Sequence, residues 1–372
     1  MEIKIGVPEL TRALARSQGI VEKKSTMPIL AHVLIEAKKG DELHLSATDL
    51  DVSVSTQQKC EVLKEGALTV GAKHLYEIVR SLQGSVNLKR NANNYLEIKS
   101  GSAEFRIVGL PAEDFPALPR FDKVHLVSIE AATLLELIEK TSFAVSTDET
   151  RYNLSGVFFE PHPELLRMVA TDGHRLALAE KAVVGDFQLK KGVILPKKGL
   201  FELRKILAEV AGNGEEKPSG ELGFVENSAI FHRQDVTLVM RLIEGLFPDY
   251  RQVIPKPGEK VVTVGRLRLL ETLRRVSLLS SDKAHAVKLE LGKGTLTVLS
   301  QNPDLGDARE EVPVEYEGEP LKIGFNARYL IDVLQVLDAD DVAIEMADDL
   351  SPCVMRPSGR DGYTAVVMPM RI

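Results

Sequence analysis

The chain has 372 residues, 44% hydrophobic and 27% charged, which is enough for two or three cores and too apolar for a disordered polypeptide. No run approaches the ~18 apolar residues of a membrane span. Cys60 and Cys353 form no CxxC pair, so a reduced cytoplasmic setting without structural zinc is expected. The net charge of −7, with 5% aromatics and no Trp, argues against a stacking platform for single-stranded nucleic acid.

From the N-terminus, MEIKIGVPEL lacks the basic-then-apolar pattern of a secretion signal. Ile3-Lys4-Ile5 alternates as a strand, and Pro8 opens a helix over 7–24 with Leu10, Leu14 and Val21 on one face. Alternation over 43–54 predicts strands, 71–80 a second helix, and the stretch closes with FRIVGLPAEDFP at 105–116. The order then restarts. Val127-Ser128-Ile129 precedes a helix over 130–140, strands in 166–179, a helix over 195–209 and the ending LVMRLIEGLFP at 238–248. A third round places Val262-Thr263-Val264 before a helix over 264–275, strands in 288–299 and a helix over 326–341. Asn91–Asn94, Gly212–Gly214 and Ser358–Gly362 read as turns.

The restarts are a true repeat. Ala47-Thr48-Asp49 returns as Ala170-Thr171-Asp172, and VGAKHLYEIVRSL at 70–82 returns as LPKKGLFELRKIL at 195–207 and FNARYLIDVLQVL at 325–337. The spacing of roughly 125 residues is that of a whole compact domain rather than of a solenoid unit. The expected fold is α+β, with three similar domains in tandem at 1–122, 123–255 and 256–372. Each would carry antiparallel sheets with two helices on one face. Proline clusters at 116–124 and 248–260 mark the boundaries.

Charge is unevenly spread. The helical segments 7–24, 71–80, 195–209 and 264–275 are net basic, while strands and loops are acidic. A local basic surface, not the global charge, governs contact with phosphates. Catalytic signatures are missing: no GxxxxGK[ST], HExxH, GxSxG or GxGxxG occurs. Asp49, Asp51 and the run 338–341 could be drawn as magnesium ligands of a nuclease, but exposed carboxylates at a turn and beyond a helix end are the simpler reading. Asp172-Gly173-His174-Arg175 reads as a loop lining a partner groove. The chain is therefore expected to be no enzyme and to need no cofactor or metal.

TMPIL at 26–30, ATDGHRL at 170–176, FPDYR at 247–251 and VVMPMRI at 366–372 together resemble the bacterial sliding clamp, the beta subunit of DNA polymerase III, over essentially the whole chain. That resemblance implies a head-to-tail homodimeric ring around double-stranded DNA, with helices lining the inside and sheets the outside. Helix packing at 8–10 Å agrees: six helices would make a ring of roughly 17 Å diameter, too narrow for a duplex, whereas twelve enclose roughly 35 Å. The basic helices supply Arg12, Arg16, Lys23, Lys24, Lys73, Arg80, Lys197, Lys198, Arg204, Lys205, Arg266, Arg268, Arg274 and Arg275 as lumen candidates.

By match to the family, Lys24, Lys73, Arg151, Tyr152, Lys197 and Lys198 stand for DNA contact, with Asn153 where a second tyrosine is common. A partner-peptide pocket would comprise Leu154, Thr171, Gly173, His174, Arg175, Leu176, Pro248, Val253, Val366, Met368, Pro369, Met370 and Arg371, bordered by Cys353. Gln252 stands at a position often occupied by Arg. The subunit contact would set His74, Phe105 and Ile107 against Leu278, Leu279 and Asp304, with Asp307, Glu310 and Glu311 adding acid. Implied partners are the catalytic subunit of DNA polymerase III, the clamp loader, and other polymerases and repair proteins that bring short peptide motifs. A scaffold that never touches DNA is the remaining alternative.

Overall fold

The computed structural model describes residues 1–22, 26–118, 124–148, 150–211, 218–256, 258, 260–280 and 284–371. Its helices are α1 (Val7–Ser17), α2 (Ala72–Arg80), α3 (Ala131–Thr141), α4 (Lys197–Ala211), α5 (Arg266–Val276) and α6 (Ala327–Val336). These are the six expected segments with shifted ends: α3, α4 and α5 run one or two residues further than expected, while α1 and α6 stop short. α1 stops at Ser17, where the Gln18 amide turns back onto the Ala15 carbonyl just before Gly19, so Val21 lies beyond the helix. α6 stops at Val336 because Asp341 already opens the next strand.

α1, α2 and α5 each follow directly from a strand ending in glycine. Gly6, Gly71 and Gly265 hold non-helical backbone at the cap, while Asn326 caps α6 by accepting from the Arg328 amide. Val7, Leu10, Ala13, Leu14 and Ser17 form the buried stripe of α1, and Leu269, Leu270, Thr272, Leu273 and Val276 that of α5.

The chain divides into two compact units: Met1–Ala132 with Gly185–Leu189 and Lys198–Leu242, and Thr133–Val184 with Lys190–Lys197 and Ile243–Ile372. The middle repeat is thus shared, half of its strands going to each unit.

The first unit holds a 13-stranded antiparallel sheet. Its order is Leu126–Glu130, Ser219–Val225, Ser228–Arg233, Val236–Arg241, Val52–Lys59, Glu42–Thr48, His32–Lys38, Gly66–Gly71, Ala103–Leu110, Tyr95–Ser100, Ser85–Arg90, Glu2–Gly6 and Glu61–Lys64. The seam between repeats is an ordinary ladder, Val236 opposite Thr56 through Met240 opposite Val52. α1 and α2 pack together over a core that includes Ile3, Ile5, Leu10, Leu14, Val33, Ile35, Leu68, Leu75 and Leu88. Burying such side chains contributes about 1.5–3 kcal/mol apiece.

The second unit holds two sheets. One runs Val193–Pro196, Gly156–Pro161, Leu165–Thr171, Arg175–Ala182, Tyr363–Val367, Cys353–Pro357, Asp341–Met346 and Lys260–Gly265; the other runs Gly306–Pro313, Thr295–Asn302, Ala286–Gly292 and Leu321–Asn326. The alternating runs at 43–54, 166–179 and 288–299 each resolve into two strands and a turn.

Among the described strands that are paired on one side only, two carry or adjoin the expected subunit-contact residues. Strand Ala103–Leu110 meets Gly66–Gly71 only at Leu110 and Gly109, so its 103–108 part is paired on one side alone. Gly306–Pro313 is the outer strand of the four-stranded sheet.

Candidate functional site

The recurring Ala-Thr-Asp triplet builds the same turn twice. Asp49 Oδ1 accepts the amides of Asp51 and Val52, and Thr48 Oγ1 that of Leu50. Asp172 Oδ1 accepts the amides of His174 and Arg175, and Thr171 Oγ1 that of Gly173. This corrects the reading of Asp49 as an exposed carboxylate: its side chain is only 5% exposed, and it receives Lys198 Nζ. The turn's second residue takes a left-handed backbone in both copies, Leu50 at φ 80 and Gly173 at φ 88. In the second copy glycine also leaves room for the end of the Arg151 side chain, whose Nη1 would lie 2.5 Å from a Cβ on Gly173.

Next to this second turn lies an apolar cluster within one unit. Leu176 and Val366 face each other across a strand pair and cluster with Val169, Leu178, Val354 and Tyr250, flanked by Phe158, Phe247 and Ile254. Phe158 stacks on Phe247 at 4.9 Å and 6°. Leu176 and Val366 are 1% exposed, so they lie in the interior of this cluster and not at its surface. Pro248 and Val253 are exposed on the segment that carries Tyr250.

At the other end, the His174 carbonyl accepts the Met368 amide at 2.9 Å, and the Met370 amide donates to Gly324 O at 2.8 Å. Met368, Pro369 and Met370 are half-buried and Arg371 is exposed. The His174 ring lies along Tyr329 at 6.3 Å. The Arg175 guanidinium sits 4.6 Å from the Tyr329 centroid, bonds Asp172 at 3.1 Å and the Phe143 carbonyl at 2.7 Å, and pairs with Asp332. Arg175 is therefore a brace that ties the second turn to Asp332 and to the Phe143 carbonyl.

Leu154 is buried at the end of the 3-10 turn Tyr152–Leu154, outside the cluster above. Cys353 is fully buried opposite Val367, and burial pushes its thiol up to about 12, so it is inert lining. Sequence reasoning missed Tyr329, Tyr250, Val354 and Phe158 as neighbours of the pocket candidates. FPDYR and the third-repeat FNARYL contain two of them, and each is aromatic at a place where the repeat elsewhere has another residue type.

The basic candidates separate by what already holds them. Lys23 and Lys24 lie outside the described residues. Lys73 is 66% exposed with a loose 3.8 Å contact to Glu77; Lys197 and Tyr152 are exposed, Tyr152 at 69%. Lys198 is 42% exposed and tied to Asp49 and the Ile20 carbonyl. Arg151 is half-exposed and donates to Asp172 O at 3.1 Å; Asn153 donates to Leu246 O at 2.9 Å.

Others prove structural. Arg266 donates to the Leu334 and Ala339 carbonyls at the end of α6, and Arg16 bonds Glu209 and Asp235. Arg268 and Arg275 converge on Glu310, which they and Thr272 hold at about 2 against the usual 4.5. Glu310 is thus spoken for within its own unit rather than free for a subunit contact. A cation in the first turn opposes the helix dipole at a cost of about 0.3–1 kcal/mol. α2 and α4 nevertheless begin with Lys73 and with Lys197-Lys198, and neither has an acid there.

At the open edges, Phe105 is 36% exposed and Ile107 half-buried on the free strand, and Val108 beyond them is 62% exposed. His74 is exposed on α2. In the other unit Leu278 is 77% exposed and Leu279 half-buried on the 3-10 turn Ser277–Leu279, with Asp304 in the turn before the edge strand. Among the described residues no group of three or more His, Cys, Asp or Glu side chains could hold a metal ion, and no helix is long and apolar enough to cross a membrane.

Three tandem copies of a two-helix module on antiparallel sheets, with cation-led helices, define a clamp-type protein. Family patterns described as the N-terminal, central and C-terminal domains of the DNA polymerase III beta subunit match residues 1–119, 128–249 and 251–371. The chain is 35% identical to the beta sliding clamp of Pseudomonas putida and 36% to that of Caulobacter vibrioides, covering 100% of each in both directions. Among solved structures it is similar to the Caulobacter crescentus beta sliding clamp (TM-score 0.92, 36% identity) and to the Bartonella birtlesii clamp bound to griselimycin (TM-score 0.93, 35% identity), with 100% of each chain covered. The chain belongs to the family of bacterial beta sliding clamps, the beta subunits of DNA polymerase III. It is a non-catalytic DNA clamp of replication.

Proposed function

We propose that two copies of this chain close head to tail into a ring around duplex DNA and tether the replicative polymerase, the clamp loader and repair proteins in the cytoplasm. Three domains per copy, 1–122, 123–255 and 256–372, make up the ring. The observation that carries closure is the pair of open antiparallel edges, 103–108 and Gly306–Pro313, each beside exposed apolar side chains. An unpaired edge is a template for another strand, and a heterologous contact closes into a ring when its rotation permits. Phe105, Ile107 and His74 of one protomer would meet Leu278, Leu279 and Asp304 of its partner.

Lys24, Lys73, Arg151, Tyr152, Lys197 and Lys198 are assigned to the duplex. Phosphate contacts carry no sequence information, so such a ring is attracted without being fixed in register. The groove around Leu176 and Val366 is assigned to partner peptides, with Thr171, Gly173, His174 and Arg175 setting its wall, Leu154 beside it, Pro248 and Val253 at its rim, and Met368, Pro369, Met370 and Arg371 at its end. Two apolar anchors there would give roughly micromolar affinity, weak enough for partners to exchange.

The test is retention. Loaded by a clamp loader and ATP on nicked circular DNA, the protein should persist through salt and leave once the circle is cut. Equal loss from circles and linear DNA would overturn encirclement.

A further inference from the structure

The segment carrying Pro248 and Val253 is fastened by a cluster of charged side chains that runs from the 15%-exposed Glu160 to the 59%-exposed Arg251. Tyr250 is 3% exposed; its ring belongs to the apolar cluster, and its hydroxyl donates to Glu160 Oε2 at 2.6 Å while accepting Arg167 Nη1 at 2.8 Å. Arg251, the next residue, donates to the other Glu160 oxygen at 2.6 Å and lies 5.1 Å from the Tyr250 ring centroid. Arg167 also bonds Glu160 at 3.1 Å and Glu180 at 2.6 Å, and His162 Nε2 stands 3.4 Å from Glu160.

One carboxylate on a sheet strand therefore receives the segment twice, through consecutive residues Tyr250 and Arg251. Gln252 does not share the task, since its amide bonds Asp249 within the segment. Burial alone would raise the Glu160 carboxyl, but Tyr250, Arg251 and Arg167 outweigh it and keep it below the usual carboxylate range.

We propose that Glu160 is a positioning residue for the peptide groove: it latches the 247–254 segment and so sets the distance between the Pro248–Val253 rim and the Leu176–Val366 floor. The inference rests on the groove being the ligand site. A charge-assisted pair of hydrogen bonds held in a partly buried site is worth roughly tenfold in an equilibrium. Loss of the latch thus spreads the rim conformations and lowers affinity by about that factor, chiefly through faster dissociation.

The experiment is griselimycin binding to the full-length protein by calorimetry, with wild type, Glu160→Gln, Tyr250→Phe and Arg251→Lys. Glu160→Gln and Tyr250→Phe should each weaken binding about tenfold, while Arg251→Lys, which keeps a cation in reach, should recover most of the wild-type affinity. Sedimentation and retention on circular DNA should not change.

Wild-type affinity should hold at neutral pH and fall only as acid titrates Glu160 below the ordinary carboxylate range. The other ionisable groups facing this cluster are His162, whose Nε2 stands 3.4 Å from Glu160, and Glu180, which holds Arg167. The Glu160→Gln protein should lack the step. Unchanged affinity in both Glu160→Gln and Tyr250→Phe, with wild type binding normally, would overturn the latch and leave the groove standing. Failure of wild type to bind griselimycin at all would overturn the groove itself. If Glu160→Gln does not fold, Tyr250→Phe, which removes only one oxygen, decides the matter.

Discussion

Glu310 shows how one side chain can change its meaning once packing is known. In the sequence it belongs to an acidic stretch, Asp307 to Glu311, suited to an intermolecular contact. In the fold it receives Arg275 at 2.7 Å, Thr272 at 2.9 Å and Arg268 at 3.4 Å, all from α5. The Arg275 hydrogen bond is the largest cause holding its carboxyl at about 2, ahead of burial, which pulls the other way. A carboxyl depressed in the folded state stabilises above the unfolded value and stops doing so as pH falls through the folded one. The contribution of Glu310 should be complete above about pH 4.5 and fade toward pH 2. Thermal melts should therefore show Glu310→Gln less stable than wild type at pH 7, with the gap narrowing below pH 4. A gap that is constant with pH would show the ion cluster to be irrelevant. The same lesson applies to Asp49 and Arg266, whose charges serve a turn and a helix end.

At the scale of elements, the C-terminal strand and its tail belong to the proposed groove. Strand Tyr363–Val367 lies between Arg175–Ala182 and Cys353–Pro357, and the tail beyond it is pinned by the Met368 and Met370 amides. Ending the chain after Val367 keeps the strand and removes the pinned tail. Such a protein should fold with a melting temperature close to wild type and lose griselimycin binding by tenfold or more, measured by calorimetry; retained affinity would place the ligand elsewhere. Helix positions were legible because α1 and α5 carry apolar side chains at helical spacing after a strand, a signal that needs no tertiary context. Their ends were less so. Val21 fits the α1 stripe by spacing alone, yet the turn at Gln18 ends the helix before it.

At the scale of the molecule, the proposed closure would rest on exposed apolar side chains at two strand edges. Leu278→Ala with Leu279→Ala removes two such groups, at about 1.5–3 kcal/mol for each one fully buried in a contact. Sedimentation velocity should then show monomers at concentrations where wild type is dimeric, and an unchanged coefficient would exclude this surface. The division of the chain belongs to this scale too. Repeat matching marks three equal modules, whereas contacts gather into two compact units that share the middle repeat. Hydrogen bonding between strands is blind to sequence order, so Val236–Arg241 extends the first repeat's sheet and Tyr363–Val367 joins the second's.

The triplication, the α+β class, the helix faces and the motifs that identify the family were all present in the linear order of residues, because periodicity and local turn chemistry act over a few positions. Which cations are free, which carboxylates are already held, and which residues form the apolar cluster were decided by tertiary structure. Tyr329 reaches His174, and Tyr250 reaches Glu160, only after strands distant in sequence are laid side by side, and no local pattern encodes a meeting of that kind.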